Sequence, residues 1–338
     1  MDLDARATAA GFVGAIVVLA ILAVLVGVEK LVDALSMADP ATVAAVVGMA
    51  VVWLTAWAFA LRAVLRALDA SISRLSVIAV YAGALFANNV TPFGQAGGEP
   101  ISALLISEAA GTEYETALAA IASADSLNFV PSTGLALVGV TYFSVAAAAG
   151  DRLQYATVAV VAMAVALPVV GYLAWTNRTR LERAVDGAIT PLAQTVGRRV
   201  PRLEAPSEGA VAARIDGFFR AIEAVATDRW TVLIAFGFST IGWAAQAVAL
   251  WLSLQAVGVA APFAAVLVAV PVGAIAGVTP LPGGLGGVEA TLVALLVPLA
   301  GVSAATAAAA VVLHRGAIYW LPTLVGGGVA SALGAGRV

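Results

Sequence analysis

The sequence predicts an all-α integral membrane protein, a polytopic helical bundle with two internal repeats that contain broken or re-entrant helices. Three observations carry that expectation. Of 338 residues, 62% are hydrophobic and 11% charged, with a mean hydropathy of +1.01, whereas a soluble domain carries about 25% charged residues. The apolar residues gather in long runs, several of them near the ~20 residues that span a bilayer. Two glycine-rich breaks of similar composition then recur in the two halves of the chain.

The apolar runs cover residues 11–28, 41–61, 77–90, 116–149, 153–175, 230–257, 262–278, 289–300 and 303–333. Backbone groups in lipid must be satisfied within their own segment, and the alternation of a membrane barrel is absent, so the runs are read as helices. The run at 11–28 follows Asp2, Asp4 and Arg6. A secretory leader wants a basic start and a small-residue cleavage site, so this run is read as a retained span. The runs at 77–90 and 262–278 stop short. The first ends in Asn88, Asn89, Thr91 and Pro92, the second in Thr279, Pro280 and Pro282, and glycines follow each, which is how broken helices look in sequence.

Residues 176–229 are the polar exception, with nine Arg against seven acidic residues. The positive-inside rule puts this loop in the cytoplasm, and Arg62, Arg66 and Arg74 put the second connection on the same side. Two amphipathic helices are expected in the loop, one through Leu181, Val185, Ile189, Leu192 and Val196, the other through Val211, Ile215, Phe218, Phe219, Ile222 and Val225. The organisation is therefore a first transmembrane repeat at 1–175, the cytoplasmic loop at 176–229 and a second transmembrane repeat at 230–338, in a multi-pass protein of the cell membrane.

Composition also narrows the chemistry. The absence of cysteine and the single histidine, His314, leave no disulfide framework, no thiolate nucleophile and no His- or Cys-based metal centre. No cofactor or metal is expected. A net charge of -3 lacks the basic footprint of a nucleic-acid binder.

The two breaks read Thr91-Pro92-Phe93-Gly94-Gln95-Ala96-Gly97-Gly98-Glu99 and Thr279-Pro280-Leu281-Pro282-Gly283-Gly284-Leu285-Gly286-Gly287-Val288-Glu289. Glu99 to Asp125 and Glu289 to Arg315 both span 26 residues, and an aromatic and a proline follow each: Phe129 with Pro131, and Tyr319 and Trp320 with Pro322. Three apolar runs lie between the copies, an odd number, which makes the repeats inverted. Repeated broken helices in a membrane protein mark a transporter whose substrate site lies between the halves.

These motifs resemble the flippase-like transmembrane domain of the lysylphosphatidylglycerol synthase/flippase family, over roughly residues 11–333. The resemblance implies a membrane domain that moves a lipid with a polar headgroup between leaflets. Some relatives carry a soluble aminoacyltransferase domain after the membrane part, and these residues are expected to lack it. Archaeal relatives are associated with polyprenyl-linked sugar metabolism, which keeps an isoprenoid glycolipid among the cargoes. One departure concerns Ala124-Asp125, where the family pattern leads one to expect an acidic-basic pair.

Each polar residue at the breaks has two readings. Glu99 and Glu289 sit where a carboxylate complements a helix N-terminus, with Pro100 expected in a first turn. A charge at membrane depth also costs on the order of 2.5 to 3.5 kcal/mol, so such residues face a cavity or a partner. Gly97, Gly98, Gly283, Gly284, Gly286 and Gly287 suit either an anion site at a helix start or a tight helix crossing. Asp125 and Arg315 are either a structural ion pair between the halves, or a cation or proton acceptor and a phosphate ligand, respectively. His314 is a packing residue or a proton relay. Asn88, Asn89, Thr91, Gln95, Asn128, Thr279 and Tyr319 complete the substrate-binding candidates; no catalytic residue is assigned.

The function expected is a lipid flippase-like transporter for a phospholipid or polyprenyl-linked lipid. The competing class is a membrane-embedded enzyme transferring a sugar or aminoacyl group to a lipid headgroup. A membrane lipid is the expected partner and nucleic acid is not. A second copy of the chain and a separate lipid-modifying enzyme both stay open.

Overall fold

A computed structural model describes residues 27–91, 94–145, 210–277, 279 and 281–335, with isolated positions between 13 and 24 and between 169 and 180. All regular structure among the described residues is helical. Most of the expected run at 11–28, the run at 153–175 but for isolated positions, and the first amphipathic helix of the loop lie outside the described residues.

A short helix α1 (Val28–Ser36) leads into α2 (Pro40–Ala67). Asp39 caps α2 by accepting the Thr42 amide at 2.9 Å, and Pro40 occupies a first-turn position where it withholds no needed donor. At 28 residues α2 is about 42 Å long, more than the ~30 Å hydrocarbon core. Its counterpart α7 (Arg229–Ala256) has the same length and an Asp228 cap. Stretches Pro40–Ala67, Arg229–Ala256, Pro282–Ala300 and Ala304–Ser331 are each long and apolar enough to cross a membrane.

Helices α2 and α7 pack antiparallel. The Asp39 amide donates to the Ala256 carbonyl at 3.0 Å, and Phe59 meets Phe238 at 5.6 Å between ring centroids. Lipid tails are as apolar as leucine, so helices associate in membranes through close packing at small residues. Here Ala58, Ala60, Ala247 and Ala249 are buried, and Trp57 lies against Gly242, where a Cβ would overlap the indole ring.

Two helical hairpins flank this pair. In the first, α3 (Arg74–Val90) returns as α4 (Gln95–Ala110). The Ser102 hydroxyl donates to the Ala84 carbonyl at 3.4 Å, Gly83 faces Leu105, and Gly98 lies against the Asn88 backbone. In the second, α8 (Phe263–Ile275) returns through a tight turn at Pro282–Gly284 as α9 (Gly287–Ala300), with Gly273 against Leu292 and Gly277 against Val288. The apolar runs at 77–90, 262–278 and 289–300 thus mark hairpin arms to within a few residues.

A longer helical stretch follows each hairpin. α5 (Tyr114–Val145) continues through Pro131. The expected run at 303–333 is divided: α10 (Ala304–Arg315) passes through a π-helical turn at Gly316–Trp320 into α11 (Leu321–Ala335). Such bulges concentrate at functional sites. α11 runs antiparallel to α3, with Gly326 against the Ala82 carbonyl. Between α5 and α7, the second amphipathic helix of the loop is present as α6 (Ala210–Thr227), where Arg214 pairs with Glu115 at 3.5 Å.

The helix start expected at Glu99 is corrected. α4 begins at Gln95, so Pro100 lies inside the helix rather than in its first turn. The physical reason lies at Gly94. The Gly97 and Gly98 amides already donate to the Gly94 carbonyl, at 3.2 and 3.0 Å, and thereby start the helix earlier.

Candidate functional site

The tips of the two hairpins meet. A Cβ on Gly94 would sit 3.6 Å from the Gly277 carbonyl, and one on Gly283 would sit 3.1 Å from the Asn89 Cα and would overlap the Tyr319 ring. Gly283 has φ 54° and Gly286 φ 85°, left-handed conformations that glycine adopts without a Cβ penalty. Glycine is needed at Gly283 twice over, for its conformation and for the approach of Tyr319.

Arg315, in the last turn of α10, is held at this junction from three directions. Its Nε donates to Glu289 Oε1 at 2.7 Å, one terminal nitrogen donates to the Gly283 carbonyl at 3.4 Å, and its guanidinium lies 4.4 Å from the centroid of the Tyr319 ring. The other carboxylate oxygen of Glu289 accepts the Gly286 amide at 2.6 Å. A single carboxylate therefore caps α9 and neutralises Arg315, at side-chain exposures of 8% and 12% for the pair. The anion at the α9 N-terminus is the protein's own Glu289, which uses the Gly286 donor that an external anion would need.

Tyr319 reaches this place because the π turn follows Arg315 directly. Its hydroxyl donates to the Asn89 carbonyl at 2.9 Å, and the Asn89 side chain donates to the Thr323 hydroxyl at 2.7 Å. Two hydrogen bonds thus tie the first hairpin to the α10–α11 stretch. Asn88 Oδ1 and Thr279 Oγ1 are buried without a partner. Thr91 donates to the Ala87 carbonyl at 2.7 Å and stabilises the tip. Gly284 and Gly287 permit close backbone approaches to Gly277 and Ala276, and Gln95 is exposed at the start of α4.

The Asp125–Arg315 ion pair considered from sequence is not formed, because Arg315 is taken by Glu289. Asp125 lies instead in a second polar cluster. Asn128 Nδ2 donates to Asp125 Oδ1 at 3.5 Å, and the Ser239 hydroxyl of α7 donates to Asn128 Oδ1 at 2.5 Å. Glu99 acts on Asp125 electrostatically, as Asp125 does on the buried Tyr81. His314 is 3% exposed with an unpartnered Nδ1. Consecutive helix positions diverge by about 100°, so it leaves the junction to Arg315.

Sequence reasoning missed Thr323, Ser239 and Tyr81. Thr323 stands one turn beyond Tyr319 and was within reach of a spacing argument. Ser239 and Tyr81 are polar residues within apolar runs, and only the tertiary structure, which packs α7 against α5 and buries Tyr81, singles them out.

Comparison with known proteins bears on this arrangement. Residues 11–326 match the profile of the lysylphosphatidylglycerol synthase transmembrane region. A UPF0104 membrane protein of Methanothermobacter thermautotrophicus is 28% identical, with 95% of this chain and 92% of that one covered. A second UPF0104 membrane protein of the same organism is 23% identical over 92% and 91% of the two chains.

Proposed function

The chain belongs to the lysylphosphatidylglycerol synthase transmembrane-region family, and from that premise we propose that it is a lipid flippase-like transporter rather than an enzyme. The observation that carries the reading is the junction of the two hairpin tips, where the buried pair Glu289–Arg315 lies beside Tyr319 and Asn89. Each hairpin is read as a re-entrant element that enters and leaves the bilayer on one side, the two from opposite sides, as inverted repeats. A transporter built this way opens its central site to either leaflet by rocking one half against the other.

In this reading a polar headgroup enters between the halves while the lipid chains stay in the bilayer. Arg315 offers a phosphate the guanidinium donors that Glu289 and Gly283 leave free, and the planar fork suits phosphate geometry. The unpartnered Asn88 Oδ1 and Thr279 Oγ1 add neutral hydrogen-bonding atoms at the ends of the two hairpin arms. The Arg-rich loop at 176–229 faces the cytoplasm.

Reconstitution tests the reading. Lipids that co-purify are identified by mass spectrometry, and leaflet exchange of a labelled phospholipid or polyprenyl phosphate is measured in proteoliposomes. Exchange above that of protein-free vesicles, lost in Arg315→Gln, is expected. Covalent modification of the lipid without exchange would replace this reading with the transferase.

A further inference from the structure

Glu289 and Arg315 neutralise one another, but the first half carries a different pair at the same spacing. Glu99 and Asp125 are also 26 residues apart, and both are acids. Asp125 is 8% exposed, and its Oδ2 is buried with no partner. Among the described residues, its Oδ1 accepts only the 3.5 Å bond from Asn128. Asn128 turns its amide nitrogen to Asp125, because its oxygen already accepts the Ser239 hydroxyl.

Among the described residues, the salt bridges leave Glu99 and Asp125 without a basic partner. Of the titratable groups near it, Glu99 on α4 acts on Asp125, and Asp125 acts on Tyr81 of α3. α7 contributes the Ser239 hydroxyl, and α8 has no titratable residue. Arg62 of α2 donates to the Ile72 carbonyl, and Arg66 lies in the last turn of that helix. Arg214 of α6 is engaged by Glu115, about three turns along α5 from Asp125.

A buried carboxylate without a cation or a full set of donors is costly. A metal ion would relieve this only with several oxygen ligands, and the amide nitrogen of Asn128 occupies one side of Asp125. A proton needs a single oxygen. We propose that Asp125 holds an exchangeable proton, forming a proton-binding site in the first half where the second half carries a permanent Arg315–Glu289 pair. The site gives a transmembrane proton gradient a charge state to act on, and it does not depend on which lipid is cargo.

Infrared spectroscopy of the full chain in maltoside micelles, which carry no carbonyl group, tests the site directly. At neutral pH the wild-type protein shows the C=O stretch of a protonated carboxylic acid, and alkaline titration removes it. Asp125→Asn loses the band, because the site's only carboxyl is then gone, while Glu115→Gln retains it. Should Asp125→Asn not fold, carboxyl-labelled aspartate in the wild-type chain must shift the band and carboxyl-labelled glutamate must not; the reverse overturns the proposal. Absence of the band at neutral pH, or its persistence in Asp125→Asn, overturns the proposal. Thermal stability raised by NaCl over choline chloride and lost in Asp125→Asn overturns it as well, in favour of a metal cation.

Discussion

Glu289 and Arg315 join the first turn of α9 to the last turn of α10 through a 2.7 Å ion pair, and the same carboxylate caps α9 through the Gly286 amide. This double use makes Glu289 the residue on which the second hairpin and the helix after it both depend. It also explains why Asp125 is not drawn to Arg315. A carboxylate already held at a helix N-terminus is pre-positioned, and it lies beside the guanidinium in the same half of the chain.

Truncating one member of this pair leaves the other buried and uncompensated, so Glu289→Gln and Arg315→Gln should each cost about 3 to 5 kcal/mol of stability. The double variant should recover most of that loss. Thermal unfolding of the purified protein in detergent measures both. If Arg315 also holds a lipid phosphate, the recovered double variant stays inactive in leaflet exchange.

Glycines of α11 should separate sharply. A Cβ at Gly326 would overlap the Ala82 carbonyl, whereas one at Gly328 meets nothing within 4 Å. Gly326→Ala is expected to destabilise by about 1 to 3 kcal/mol as the α3–α11 contact is forced apart. Gly328→Ala is expected to stabilise by about 0.5 to 1 kcal/mol through helix propensity. Opposite shifts in melting temperature are the signature.

The cap of α2 should respond to acid. The Thr42 hydroxyl, and then the Thr42 amide, donate to Asp39 and hold its carboxyl below the ordinary carboxylate range. A depressed folded-state pKa means that the cap's contribution is present above the unfolded value, about 3.9, and is lost as pH falls through the lower folded one. An NMR titration of the Thr42 amide should therefore show a midpoint below that value. Asp39→Asn should abolish the transition.

Membrane orientation is open to a direct test in a chain without cysteine. With the loop at 176–229 in the cytoplasm, an impermeant maleimide should label Ser207→Cys only after cells are permeabilised. Labelling of intact cells would invert the topology.

The sequence alone determined the helical membrane class, the ends of the apolar arms and the two glycine-rich breaks. Run 77–90 ends where α3 ends, and run 289–300 ends where α9 ends. These features are local: hydropathy, Thr-Pro turns and glycine conformations act within a few residues. Partner choice depends on packing. Nothing in the spacing distinguished Asp125 from Glu289 as the partner of Arg315, since both were candidate acids in the breaks and their helices. The decision came from the Gly286 turn, which aims Glu289 at the end of α10, and from the π turn, which brings Tyr319 beneath the guanidinium. Tertiary structure likewise left Asp125 with Asn128, itself held by Ser239 of α7, because a polar atom buried among helices can use only the groups that neighbouring helices bring to it.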